Sequence, residues 1–180
     1  EDLPTSFASL LSDQVVNPAP SAAKAESGPL LGTYLMICPN DSQITAAVQP
    51  LLEWRRRQGY NVQLATTSVT GTATHSIKNY IQGVYDSASP PLEFVVLVGD
   101  ANGGVEIPTY YETVSGYGGE GDHYYAQLEG DDVLADVFLG RLTCRDATQL
   151  GGMVDKIVAY ETTPEMDEPQ WYKRASLTAD

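Results

Sequence analysis

Hydrophobic residues occur in short, clearly bounded groups. Tyr34-Leu35-Met36-Ile37-Cys38 is a continuous apolar run closed by Pro39, Asn40 and Asp41, the pattern of a buried strand. Asp41 or Ser42 then caps a helix in which Ile44, Val48, Leu51 and Leu52 recur at helical spacing. Arg55, Arg56 and Arg57 lie near its end, where cations complement the helix dipole, and Gly59 stops it. Pro50 interrupts the pattern and predicts a kink or a fresh helix start. Residues 61–68 predict a second strand. Thr74 can cap a second helix, in which Ile77, Tyr80, Ile81, Val84 and Tyr85 mark one face. Phe94-Val95-Val96-Leu97-Val98 is the strongest strand pattern, ended by Gly99 and Asp100.

Two successive strand–helix–strand units predict an α/β domain: an open, mostly parallel sheet flanked by helices. Residues 101–122 break this rhythm with six glycines and three tyrosines. Segments 123–129 and 137–143 read as two strands around an acidic turn, adding a β-hairpin. Asp146 with Gln149 starts a third helix, striped by Leu150, Met153, Val154, Ile157 and Val158. Residues 164–169 read as linker and 175–179 as half of a further strand.

Residues 1–31 have the composition of a linker or the end of a pro-segment, which leaves 32–180 as one domain. No internal repeat is found. The chain opens at Glu1 without methionine, so removal of something upstream is expected. A formal charge of −14 across 180 residues argues against nucleic acid and anionic membranes. No apolar run is long enough for a membrane span. Cys38 and Cys144 are too few for a disulfide scaffold.

Carboxylates concentrate in Glu129-Gly130-Asp131-Asp132-Val133-Leu134-Ala135-Asp136, with no lysine or arginine from Glu120 to Val137. Crowded carboxylates repel one another, and a hard cation such as Ca²⁺ relieves that repulsion with six to eight oxygen ligands. Glu129, Asp131, Asp136 and a carbonyl near Val133 are candidate donors. Asp100 is a further one, since open α/β sheets place sites beyond the carboxyl ends of their strands. A solvated acidic tip is the plainer reading. Cys38 and His75 form a conceivable nucleophilic pair, although a buried apolar cysteine and a solvated helix start are the stronger reading. Cys144 beside Arg141 and Arg145 reads as packing, His123 as surface. The tyrosines at 110, 111, 117, 124 and 125 line a groove or cover a core.

Several of these stretches resemble the gingipain-like cysteine peptidases. They are Glu53-Trp54-Arg55-Arg56-Arg57-Gln58-Gly59-Tyr60, Ser76 to Ile81, and Val95 to Asp100 with Ile107-Pro108. Asp122 to Ala126, Asp136 to Arg141 and Asp155 to Glu161 follow in the same order. The resemblance covers 33–180 and implies the first subdomain of a caspase-like α/β/α catalytic domain. It implies a Ca²⁺ site from Asp100, Glu129, Asp131, the Val133 carbonyl and Asp136. It also implies a secreted or cell-surface bacterial protein acting on protein or peptide substrates. The catalytic histidine and cysteine of that family lie in the second subdomain of the precursor, the expected partner; nothing in this chain matches them, so this piece alone is expected to be inactive. Asp180 falls near a family carboxylate that orients the histidine. The competing expectation is a non-catalytic calcium-binding α/β module for surface adhesion or assembly. A receiver-like domain phosphorylated on Asp100 is disfavoured because no matching acidic pair follows the first strand.

Overall fold

The computed structural model describes residues 31–114, 117–163 and 174–175. The expectations for 1–30, 164–169, 176–179 and Asp180 lie outside the described residues. Strand β1 (Thr33–Cys38) is buried at every position. That is why its sequence is apolar throughout instead of alternating: both of its faces are covered. Helix α1 (Ser42–Ala47) starts at Asp41, whose carboxylate accepts from the Gln43 and Ile44 amides. Val48 separates it from α2 (Gln49–Arg57), which carries Pro50 in its first turn, where a missing N–H costs nothing. The fresh start expected at Pro50 is therefore present.

Strand β2 (Asn61–Thr66) stops two residues earlier than expected, because Thr67–Thr70 forms a helical turn, α3. Helix α4 (Thr74–Ser87) begins after Ala73 without a side-chain cap, so Thr74 is its first residue instead of its cap. Strand β3 (Leu92–Val98) follows. Strands β4 (Tyr110–Val114) and β5 (Tyr117–Gly121) pair antiparallel. Strand β6 (Phe138–Leu142) and helix α5 (Ala147–Thr162) complete the described chain. The main sheet has the order β2-β1-β3-β6 and is parallel throughout.

The expected hairpin exists, but at another place. It is built from 110–121. Residues 123–126 form a 3-10 turn, and β6 pairs in parallel with β3. Tyr125 and Ala126 are both sealed from solvent, and consecutive buried residues cannot belong to a one-sided strand. The apolar run of β6 fits an added parallel strand.

The sheet separates two apolar layers. Leu35, Ile37, Val95 and Leu97 meet Ile77 and Ile81 of α4 together with Tyr125 and Val137. On the other face Met36 and Cys38 meet Ile44, Val48 and Leu51, and Leu150 and Val154 of α5. Among the described residues no helix is long and apolar enough to cross a membrane.

Candidate functional site

Two polar assemblies stand at opposite ends of the sheet. The first lies beyond the carboxyl ends of β3 and β6. Gly99 turns the chain with φ +126°, and a Cβ there would lie 2.7 Å from the Val105 carbonyl oxygen, so only glycine fits. The Asp100 amide donates to the Val105 carbonyl, and the Ile107 amide donates to the Asp100 carbonyl. The Asp100 carboxylate accepts from the Ala101 amide at 2.8 Å. A cavity of about 330 Å³ opens here between Asp100, Asn102, Gly103, Val105, Cys144 and Arg145.

Arg141 fastens the same end. Its guanidinium donates to both oxygens of Asp122 at 2.7 Å, and to the Gly99 and Ile107 carbonyls at 3.0 and 2.8 Å. Thr109 donates to Asp122 and to the Gly121 carbonyl, and the Tyr125 hydroxyl donates to the Pro108 carbonyl. This latch joins strand, hairpin and 3-10 turn, and the sequence reading missed it. The clue was an arginine inside an apolar strand: a half-buried guanidinium needs acceptors.

The second assembly is the acidic loop, which feeds β6 and so sits at the amino end of the sheet. Asp136 is its anchor, accepting from the Leu128 and Glu129 amides at 2.6 and 2.9 Å. Glu129 accepts from the Tyr85 hydroxyl at 2.9 Å. The Asp132 carboxylate accepts from the Leu134 amide, and the Val133 carbonyl lies 2.6 Å from the His123 ring nitrogen. Lys78 donates to the Gln127 carbonyl.

The structure therefore divides the five expected calcium donors. Phe94 pairs with Phe138 and Val98 with Leu142. Asp136 precedes the first pair and Asp100 follows the second. Four residues at about 3.3 Å each put at least about 13 Å between them along the strands. One ion binds its oxygens at about 2.3–2.6 Å. Asp100 and the loop cannot share it. Glu129, Asp131, Val133 and Asp136 remain on one loop, with Glu129, Val133 and Asp136 already engaged as above. Among the described residues no three His, Cys, Asp or Glu side chains are grouped closely enough to hold a metal, so the arrangement does not fit a five-donor site.

The thiols are not poised for attack. Cys38 is fully buried, and burial pushes its pKa up to about 12. Burial, then Asp146 and Asp100, raise that of Cys144. His75 lies exposed at the start of α4. The conceived Cys38–His75 pair therefore joins a protonated interior thiol to a solvated ring.

Comparison with known proteins decides the family. Residues 30–180 match Peptidase family C25. The chain belongs to this family. It is 25% identical to gingipain R2 of Porphyromonas gingivalis over 150 residues, which is 82% of this chain and 19% of that protein. It is 25% identical to gingipain R1 of the same organism over 134 residues, 73% of this chain and 13% of that one. A solved complex of the pro- and mature domains of Porphyromonas gingivalis RgpB superposes with a TM-score of 0.62 at 22% identity, covering 72% of this chain and 29% of that one. A second structure, of a protease, gives 0.63 at 23%, covering 78% and 30%. The C25 chain described here thus spans under a third of each of these relatives. It is a segment of a gingipain-related cysteine peptidase domain with the expected caspase-like parallel sheet.

Proposed function

We propose that this C25 segment is the non-catalytic first subdomain of a secreted or surface-exposed bacterial cysteine endopeptidase. It supports a second subdomain that carries the nucleophile and its histidine. The observation that carries this is the state of its thiols: the family works through a cysteine, yet Cys38 and Cys144 are both sealed in the core with pKa values raised by burial. A cysteine nucleophile acts as a thiolate. Within the peptidase, these residues form a rigid platform and do not contact the reacting carbonyl.

The test is peptide hydrolysis by the 180-residue chain and by the full-length gene product. The chain alone is expected to be inactive. The full-length protein is expected to be active, blocked by thiol alkylation, and unaffected by Cys38→Ala. Thiol-dependent hydrolysis by the chain alone, lost in Cys38→Ala, would overturn the reading.

We also propose that calcium, where it acts on this subdomain, is held by the acidic loop through Glu129, Asp131, the Val133 carbonyl and Asp136, without Asp100. Four carboxylates in eight residues supply the driving force. Since their side chains are not grouped as described above, binding must reshape the loop. Calcium is expected to raise the melting temperature and slow exchange of the 128–136 amides. An unchanged melting temperature at millimolar calcium retires this proposal without touching the first.

A further inference from the structure

The two edges of the sheet differ. Strand β2 presents Asn61, Gln63 and Thr66 among its six residues. Strand β6, Phe-Leu-Gly-Arg-Leu, is apolar apart from the latched Arg141, and its burial is only intermediate. It ends the sheet, with β3 on one side and no further strand among the described residues. An apolar edge strand presents unpaired N–H and C=O groups that can pair with another chain.

Behind β6 lies a cavity of about 400 Å³ on the α2–α5 face. Its walls are a chain of rings: Tyr34 with Phe94 at 5.9 Å, Tyr60 with Phe94 at 5.5 Å, and Phe94 stacked on Phe138 at 5.2 Å. Arg55, fixed by two hydrogen bonds to Glu161 at 2.6 and 2.8 Å, lies over the Tyr34 ring and closes one end. Gly140 forms the other side. It is exposed, and a Cβ built on it meets nothing within 4 Å. The cavity therefore opens at the edge strand.

The described crossover connections share one hand. The connection from β1 to β2 passes over the face of α1 and α2 and moves away from β6. The connection from β2 to β3 passes over the α4 face and moves toward β6. Both are the same hand, as crossover connections require. Helix α5 lies on the α1–α2 face and packs against both helices. A second copy is a poor occupant, since each chain carries −14. The solved relatives are more than three times as long as this chain's share of them, so most of their length lies elsewhere.

We propose that the β6 edge and the aromatic cavity behind Gly140 seat an extended strand from the second subdomain, with one large apolar or aromatic side chain inserted into the cavity. This rests on the subdomain reading above and names where the contact is made. Main-chain pairing supplies affinity and the cavity supplies selectivity. The Leu142 carbonyl accepts from the Gly99 amide on the β3 side. Alternation then turns the Leu139 and Arg141 amides toward the open edge.

The experiment compares amide exchange at Leu139 and Arg141 in the 180-residue chain and in the full-length gene product. Both amides are expected to slow at least about tenfold in the full-length protein. Gly140→Leu fills the cavity mouth; it is expected to abolish that protection while leaving the melting temperature of the 180-residue chain nearly unchanged. Equal exchange in the two proteins overturns the inference. So does protection that appears in the isolated chain and grows with its concentration, which assigns the edge to a second copy. Peptidase activity, read on the same full-length samples, reports separately on the subdomain reading.

Discussion

In the sheet, Leu35, Ile37, Val95 and Leu97 on one face and Met36 and Cys38 on the other are wholly removed from solvent and held by apolar contact. In the excursion between Gly99 and Val137, Ile107, Tyr125, Ala126 and Leu128 reach the core, and the rest is pinned by polar groups: Arg141 on Asp122 and two carbonyls, Asp136 on two amides, Thr109 on Gly121 and Asp122. The first region resists disruption because many small contacts would have to be lost together. The second depends on a few residues, each of which holds several segments. Substitutions should accordingly unfold the molecule in one case and loosen it locally in the other.

The largest effect is expected in the sheet. Leu97→Ala should cost about 2–5 kcal/mol through lost burial and the cavity left behind, seen as a fall in melting temperature with a single cooperative transition. Arg141→Met should cost roughly 2–3 kcal/mol, because it leaves Asp122 and two carbonyls without their donor. Faster exchange should appear in 99–126 while the β1 amides stay protected. Loss of protection throughout would erase the distinction between the regions. Asp136→Ala should cost about 1–2 kcal/mol and free the Leu128 and Glu129 amides; exchange at those two amides is the readout.

The smallest effect is a pH dependence belonging to the sheet-side helices. Hydrogen bonding from Arg55, assisted by Trp54 and Gln58 and opposed by burial, holds the Glu161 carboxyl below the usual carboxylate range. A depressed folded-state pKa means stability that is present above the unfolded value near 4.5 and lost as the pH falls through the folded one. Glu161→Gln should flatten the acid limb of the melting-temperature profile below about pH 4.5 while changing 99–137 exchange little.

The apolar runs at 34–38 and 94–98, the helical stripes and the break at Pro50 were all readable because hydrophobic spacing reports directly on burial. The hairpin was misplaced for a physical reason. Residues 123–129 mix tyrosine, alanine and leucine in a way that suits a strand as well as a turn, and only the burial of Tyr125 beside Ala126 separates the two. Asp100 stands apart from the acidic turn for a topological reason: a parallel β6 places that turn at the far end of the sheet. Arg141 itself stood out inside an apolar strand, but its acceptors, Asp122, Gly99 and Ile107, were not readable because they come together only when the chain has folded.

The strand order carries a last consequence, for assembly. The first strand in the chain is a central one, flanked by β2 and β3, while β6 joins only after the longest connection in the sheet has closed. Chain-closure entropy rises with the length enclosed. On a ribosome, β1 therefore waits for its neighbours, the sheet grows outward as they emerge, and β6 is the last rung added. Folding of the first three strands should be complete before the β6 edge exists, which makes that edge a late checkpoint for the nascent chain.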